Sequence, residues 1–304
     1  MELPLKGIIP PVVTPLTSRN ELDKAGLEKL VNHLLAGGVH ALFMLGTTGE
    51  APSLSYQLRK ELIRETCKLV NKKIPVLVGI TDTSIDGSVE IARFAAEEGA
   101  DALVIAAPYY MPISQDEMRE YLDALAPQLP LPFMMYNMPS CTKMHMSLET
   151  VKKARDLGAI GIKDSSGDMF YLFSLIEEFK NSPAFSIITG TELFIPDTII
   201  HGGHGAVPGG ANMFPRLYVD YYEASVARDL DRISVLRGHV MKIYNTIYSV
   251  GRHTSKYLKG TKCALSVLGI CNDYMAQPLR RHGAAERKLI EQYLAEMESL
   301  IVKP

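Results

Sequence analysis

The chain has no tryptophan and four cysteines, Cys67, Cys141, Cys263 and Cys271, which form no C-x-x-C pair and have no histidine at zinc-finger spacing. Neither a disulfide framework nor a zinc site is expected. Charge of one sign is also missing: 32 Lys and Arg stand against 34 Asp and Glu, so no overall field draws nucleic acid or an anionic membrane. Charged runs such as Arg59-Lys60-Glu61 and Arg280-Arg281-His282 are short or mixed in sign and read as solvated helix faces. No apolar segment is long enough to cross a bilayer, and Met1-Glu2-Leu3-Pro4-Leu5-Lys6 lacks the apolar run of a signal peptide, so a reducing cytoplasm is the expected location.

What is present is an apolar-rich chain, 47% hydrophobic over 304 residues, enough to bury a core without disulfides or metals. Nearly all-apolar runs recur at 7–14, 41–45, 74–80, 102–106, 132–136, 159–163, 185–189 and 205–209, as doubly buried parallel strands do. Helical stretches lie between them, with Ser55, Ser114 and Ser147 placed as N-caps for 56–70, 115–125 and 148–157. Repeated right-handed crossovers of this kind close an α/β chain into a (β/α)8 TIM barrel. An open nucleotide-binding sheet would show G-x-G-x-x-G after its first strand; here Thr14-Pro15-Leu16-Thr17 follows instead. Past residue 214 the strand signal stops. Helices at 217–227, 229–248 and 284–301 are expected to pack on the barrel, which divides the chain into a catalytic barrel, 1–214, and a C-terminal helical appendage, 215–304.

Barrel chemistry sits at the C-terminal strand ends. The reactive residue types there are Thr47 and Thr48, Tyr109 and Tyr110, Tyr136 and Asn137, Lys163 and Asp164, with Gly190 after the seventh run. Lys163 closes an apolar strand, a setting that disfavours the ammonium form and so favours a nucleophilic amine. Taken singly it reads equally as a strand-end lysine reaching for solvent, and Tyr136 as a core aromatic. Together they suit imine chemistry: the phenol relays protons while a carbinolamine forms and loses water. The Gly46-Thr47-Thr48-Gly49-Glu50 turn adds amides and hydroxyls suited to a carboxylate. His204, without acidic or histidine neighbours at metal spacing, reads as a turn residue.

From Gly7 to about Phe214 the sequence resembles the dihydrodipicolinate synthase and N-acetylneuraminate lyase family, through Gly46-Thr47-Thr48-Gly49-Glu50, Pro108-Tyr109-Tyr110, Tyr136-Asn137-Met138-Pro139, Gly161-Ile162-Lys163-Asp164-Ser165-Ser166-Gly167 and Gly202-Gly203-His204-Gly205. The resemblance implies a class I aldolase-type lyase in which Lys163 forms a Schiff base with pyruvate or a related 2-oxo acid and Tyr136 relays protons. It implies that Thr47 and Thr48 hold the substrate carboxylate, that Thr48 also bonds Tyr136, and that Gly190 and Val207 line the cavity through their backbones. It further implies that Tyr110 reaches a neighbouring subunit's site, so a homodimer or homotetramer is expected, and that no metal or organic cofactor is needed. One departure concerns the second substrate. Synthases of this family carry an arginine two residues after the proline of the Tyr-Asn-x-Pro motif to bind the carboxylate of aspartate semialdehyde; Cys141 stands there, and Lys143 replaces the usual glycine of the loop. With Ser165-Ser166-Gly167-Asp168 closer to the sugar-acid branch, the expected partner of pyruvate is an aldehyde released from a 2-keto-3-deoxy sugar acid or sialic-acid-like substrate. The alternatives are dihydrodipicolinate synthase itself and a non-catalytic barrel that binds a 2-oxo acid.

Overall fold

The computed structural model describes residues 1–300. Eight parallel strands form one sheet: β1 (Gly7–Ile8), β2 (Leu42–Met44), β3 (Val76–Gly79), β4 (Ala102–Ala106), β5 (Phe133–Asn137), β6 (Ala159–Asp164), β7 (Ser186–Thr189) and β8 (Gly205–Ala206). Each pairs with the next in sequence from β2 to β8, and β8 returns to pair with β1. The ring closes where the chain beyond β1 meets β2: Phe43 N–H donates to Pro10 O and Val12 N–H to Phe43 O. The expected first strand, 7–14, is therefore shorter as a regular ladder, because Pro10 and Pro11 carry no N–H to donate.

Side chains alternate along the strands. Ala102, Val104 and Ala106 fill the barrel with Ile9, Phe43, Leu77, Met134 and Ile188, whereas Leu103 and Ile105 join the larger core between strands and helices. That outer layer is made by α1 (Lys24–Ala36), α2 (Tyr56–Val70), α3 (Ile85–Glu97), α4 (Gln115–Leu125), α5 (Leu148–Asp156), α6 (Met169–Phe179) and α7 (Ile195–Ile200). Ser55, Ser114 and Ser147 cap α2, α4 and α5 by accepting from the amides of Leu58, Glu117 and Thr150, and Ser114 forms a full capping box with Glu117. A small antiparallel pair, Leu16–Ser18 with Glu21–Leu22, precedes α1, so Leu22 lies in a strand rather than opening the helix.

Helices α8 (Pro215–Ala227), α9 (Leu230–Asn245), α10 (Lys256–Val267) and α11 (Ala284–Ala295) follow. α9 stops short of the expected 248, a single 3-10 turn at Ile247–Ser249 taking over, and α10 carries no counterpart among the helices anticipated from sequence. The far end of the expected 284–301 helix, Ile301, lies outside the described residues.

Candidate active site

Strict alternation along Ala159-Ile160-Gly161-Ile162-Lys163 places Lys163 on the outer face, with Ala159. The structure does otherwise. Phe133 pairs with Ala159 but Met135 with Ile162, so one extra residue is inserted into β6 at Ile160-Gly161. The bulge reverses the alternation: Ile160 points inside, Ile162 outside, and Lys163 inside. Gly161 sits where β6 presses on β7, since a Cβ there meets Ser186 O at 2.4 Å.

Lys163 is thereby the register partner of Tyr136. Its Nζ lies 3.9 Å from the centre of the Tyr136 ring and 5.1 Å from that of Phe43, with the two rings edge to face. Lys163 is 5% exposed and Tyr136 6%. Among the described residues no carboxylate pairs with this amine and no hydrogen bond engages it.

The turn after β2 supplies the opposite wall. Thr47 Oγ1 lies 3.3 Å from the Tyr136 hydroxyl. Thr48, expected to make that bond, instead meets the Tyr257 hydroxyl at 3.0 Å. Adjacent residues of a tight turn point in different directions, and only Thr47 faces β5. Leu45 and Glu50 adopt left-handed backbone at the two ends of the turn, with φ of 57° and 56°. Its internal bonds run from Glu50 N to Thr47 O and from Ala51 N to Gly46 O. Among the described residues no main-chain hydrogen bond takes up the amides of Thr47 or Thr48, which leaves two donors and two hydroxyls at the barrel mouth.

Gly190 and Val207 stand at the ends of β7 and β8. Their amides are both used within the wall, Gly190 N–H on Asp164 O at 2.6 Å and Val207 N–H on Thr189 O at 2.8 Å, so neither is left to serve a carboxylate. A Cβ on Gly190 would fall 1.9 Å from Ser165 Oγ, so a side chain there would displace the Ser165 hydroxyl. Asp164 is spent on loop structure: it accepts from Asn137 Nδ2 at 2.7 Å and from Ser166 Oγ at 2.9 Å, and burial raises its pKa against the pull of those donors. Tyr110 is 77% exposed and makes no part of the wall within this chain. Cys141 and Lys143 lie exposed on and after a one-turn helix, Pro139–Thr142. Lys143 holds φ of 60°, the left-handed conformation that explains glycine as the usual residue. His204 lies away from this mouth, just before β8 at the strand starts, where its Nδ1 accepts from Ile187 N–H at 3.0 Å.

Tyr257, at the start of α10, is a neighbour of the Thr47-Thr48 turn that sequence reasoning passed over. Nothing local marks it; its neighbours Thr48, Gly209 and Tyr248 come from distant parts of the chain. Among the described residues no group of three or more His, Cys, Asp or Glu side chains could hold a metal ion, and no helix is long and apolar enough to cross a membrane.

A buried, unpaired lysine beside a phenol at the C-terminal mouth of an eight-stranded barrel agrees with a sequence match: residues 4–297 fit the dihydrodipicolinate synthetase family. The chain belongs to this family. It is a lyase of the class I aldolase type, built as a TIM barrel with a C-terminal helical appendage. A relative described as a putative 2-dehydro-3-deoxy-D-gluconate aldolase, YagE of Escherichia coli K12, is 34% identical over 72% of this chain and 73% of its own length. A solved dihydrodipicolinate synthase from Bacteroides thetaiotaomicron is 49% identical, with a TM-score of 0.95 over 97% of this chain and 100% of that one. The structure of Escherichia coli YagE in complex with pyruvate superposes with a TM-score of 0.90 at 27% identity, covering 97% of this chain and 99% of YagE. The family thus spans synthases and sugar-acid aldolases on one scaffold.

Proposed function

We propose that Lys163 condenses with the keto carbon of a 2-oxo acid and that the enzyme cleaves, or in reverse forms, the carbon–carbon bond between pyruvate and an aldehyde. The observation that carries this is the unpaired, buried Lys163 amine against the Tyr136 ring. The amine adds to C2 of the substrate to give a carbinolamine; Tyr136, held by Thr47, moves the protons that let its hydroxyl leave as water. The resulting protonated imine accepts the electron pair of the C3–C4 bond as the C4 hydroxyl gives up its proton, which releases the aldehyde and leaves an enamine. Protonation of the enamine at C3 and hydrolysis of the imine return pyruvate and the free amine. Loss of water from a 2-keto-3-deoxy acid is a close variant through the same imine.

The hydroxyls of Thr47 and Thr48 and their unengaged amides hold the carboxylate, Gly190 and Val207 shape the cavity, and Tyr110, exposed on this chain, completes the site of a neighbouring copy in a homodimer or homotetramer. The chemistry divides between a barrel of residues 1–214 and a supporting helical part that follows. For the second substrate we favour a 2-keto-3-deoxy sugar acid or a sialic-acid-like acid, because Cys141 offers no fork of donors to a second carboxylate and because YagE is described as a putative 2-dehydro-3-deoxy-D-gluconate aldolase. The 49% identity to the Bacteroides synthase favours the second reading, condensation of pyruvate with aspartate semialdehyde.

Borohydride reduction in the presence of pyruvate, followed by peptide mass analysis, is expected to leave a stable adduct on Lys163; no adduct would leave only a barrel that binds 2-oxo acids. A panel of aspartate semialdehyde, N-acetylneuraminate and 2-keto-3-deoxy acids then separates the two reactions. Robust turnover of aspartate semialdehyde overturns the weight placed on Cys141.

A further inference from the structure

Helix α10 grips the turn after β2 at two points. Tyr257 meets Thr48, and five residues further on Lys262 Nζ pairs with Glu50 Oε2 at 2.7 Å in a fully buried ion pair. The second contact anchors the turn; the first touches a hydroxyl assigned above to the substrate. We propose that Tyr257 is a positioning residue for Thr48: its phenol donates to Thr48 Oγ1 and so turns the Thr48 hydrogen toward the carboxylate of the bound 2-oxo acid. This rests on the imine reading above.

The direction of the bond follows from acidity. A phenol is a far stronger donor than an aliphatic alcohol, and burial together with the nearby Glu192 carboxylate pushes the Tyr257 phenol up, so it keeps its hydrogen at any working pH. With its oxygen already accepting, the Thr48 hydroxyl has its own hydrogen free for a second partner.

The surroundings hold the phenol in that place from two sides. A Cβ at residue 209 would fall 1.9 Å from the Tyr257 oxygen, so Gly209 is what admits it. On the other side the Tyr248 ring meets the Tyr257 ring edge-on, with centroids 4.7 Å apart. Tyr248 is itself tied down: its hydroxyl donates to Glu192 Oε1 at 2.9 Å, where the same carboxylate also receives the Tyr218 hydroxyl and Gly210 N–H. Tyr257 is half-buried and packs against the main apolar core. Through Tyr257, helix α10 touches the turn assigned above to the substrate carboxylate.

The test is borohydride trapping of pyruvate, read as adduct formed against pyruvate concentration, on the full chain and on Tyr257→Phe, Thr48→Val and the double variant. Tyr257→Phe is expected to raise half-saturating pyruvate about 10-fold, the scale of one misdirected hydrogen bond to a charged group. The limiting trapping rate should stay within about 2-fold, since the amine and its relay are untouched. In the Thr48→Val background the same change should add nothing, because the hydroxyl to be oriented is gone. Gly209→Ala, which keeps the phenol but forces it aside, should reproduce the rise. Unchanged half-saturation in Tyr257→Phe, or effects of Tyr257→Phe and Thr48→Val that simply add, would overturn the proposal. A lack of any adduct on the unmodified chain would instead overturn the imine itself and the proposal with it.

Discussion

Lys163 and Tyr136 are register partners on neighbouring parallel strands, and the amine of the first lies 3.9 Å from the centre of the second's ring. The ring and the hydroxyl of Tyr136 therefore do separable things. The ring, with Phe43, walls the amine off from water; the hydroxyl reaches Thr47 and is the group placed to move protons. Tyr136→Phe keeps the wall and removes the relay. It should slow borohydride-trappable imine formation by roughly 10²–10⁴-fold, the range for a positioned acid–base group, while Lys163→Ala should give no adduct at all. Trapping at the original rate in Tyr136→Phe would assign the proton transfers to a water or to another hydroxyl.

Glu50 closes the Gly46–Glu50 turn by facing away from the reaction. Its carboxylate receives Lys262 Nζ at 2.7 Å and Ala276 N–H at 2.8 Å, and Lys262 donates in addition to Tyr274 O. With the two side chains 2% and 0% exposed, removing either partner leaves a buried charge uncompensated, at a cost of about 3–5 kcal/mol. Glu50→Gln and Lys262→Met should each lower the urea midpoint strongly. The double variant should lose clearly less than the sum of the two, because no lone charge remains. Equal, additive losses would show that packing and not charge pairing sets the cost.

The architecture was legible because doubly buried parallel strands leave unbroken apolar runs, and eight of them alternate with capped helices; Ser55, Ser114 and Ser147 sit where their spacing places them. The strand ends in turn marked Lys163, Tyr136 and the Thr47-Thr48 turn as candidates. The inward aim of Lys163 was not legible. It depends on an inserted residue in β6, and a bulge is a property of the pairing between two strands that neither strand's own pattern declares. The pairing of Thr48 with Tyr257 was hidden for a similar reason, since 209 residues separate the partners and α10 carries no strong local signal. Pro10 and Pro11 shortened the first strand by removing donors that the hydrophobic pattern does not count.

The bulge makes a prediction at Gly161. A methyl group there would lie 2.4 Å from Ser186 O, a backbone atom that no rotamer change can move aside. Gly161→Ala must push β6 away from β7 or undo the bulge, and in either case it misaims Lys163. A loss of about 1–3 kcal/mol is expected from overpacking, together with a fall in pyruvate trapping that Ser186→Gly does not rescue. The measurements are a denaturation curve and the trapping rate on the folded fraction. Normal trapping in a folded Gly161→Ala chain would mean that the amine is aimed by something other than the bulge.

Two histidines tie strand starts by accepting, not donating. His40 Nδ1 takes the Ile8 N–H at 3.1 Å, and His204 Nδ1 takes the Ile187 N–H at 3.0 Å. Burial lowers the pKa of both; around His40 the Glu223 carboxylate opposes the shift and the Arg216 guanidinium adds to it, and near His204 the Lys6 ammonium adds to it. The folded chain thus binds fewer protons than the unfolded one once pH falls below the ordinary histidine value of about 6.5. The stability is whole above that value and declines as pH drops toward the lower folded values, because protonation at Nδ1 removes the acceptor. The urea midpoint should therefore fall between about pH 7.5 and pH 5. Replacing both residues by asparagine, whose amide oxygen can stand in for Nδ1 without titrating, should flatten that fall. An equally steep fall in the double variant would place the titration elsewhere, with His33, also lowered by burial and packed against Met213 O, the first residue to replace next.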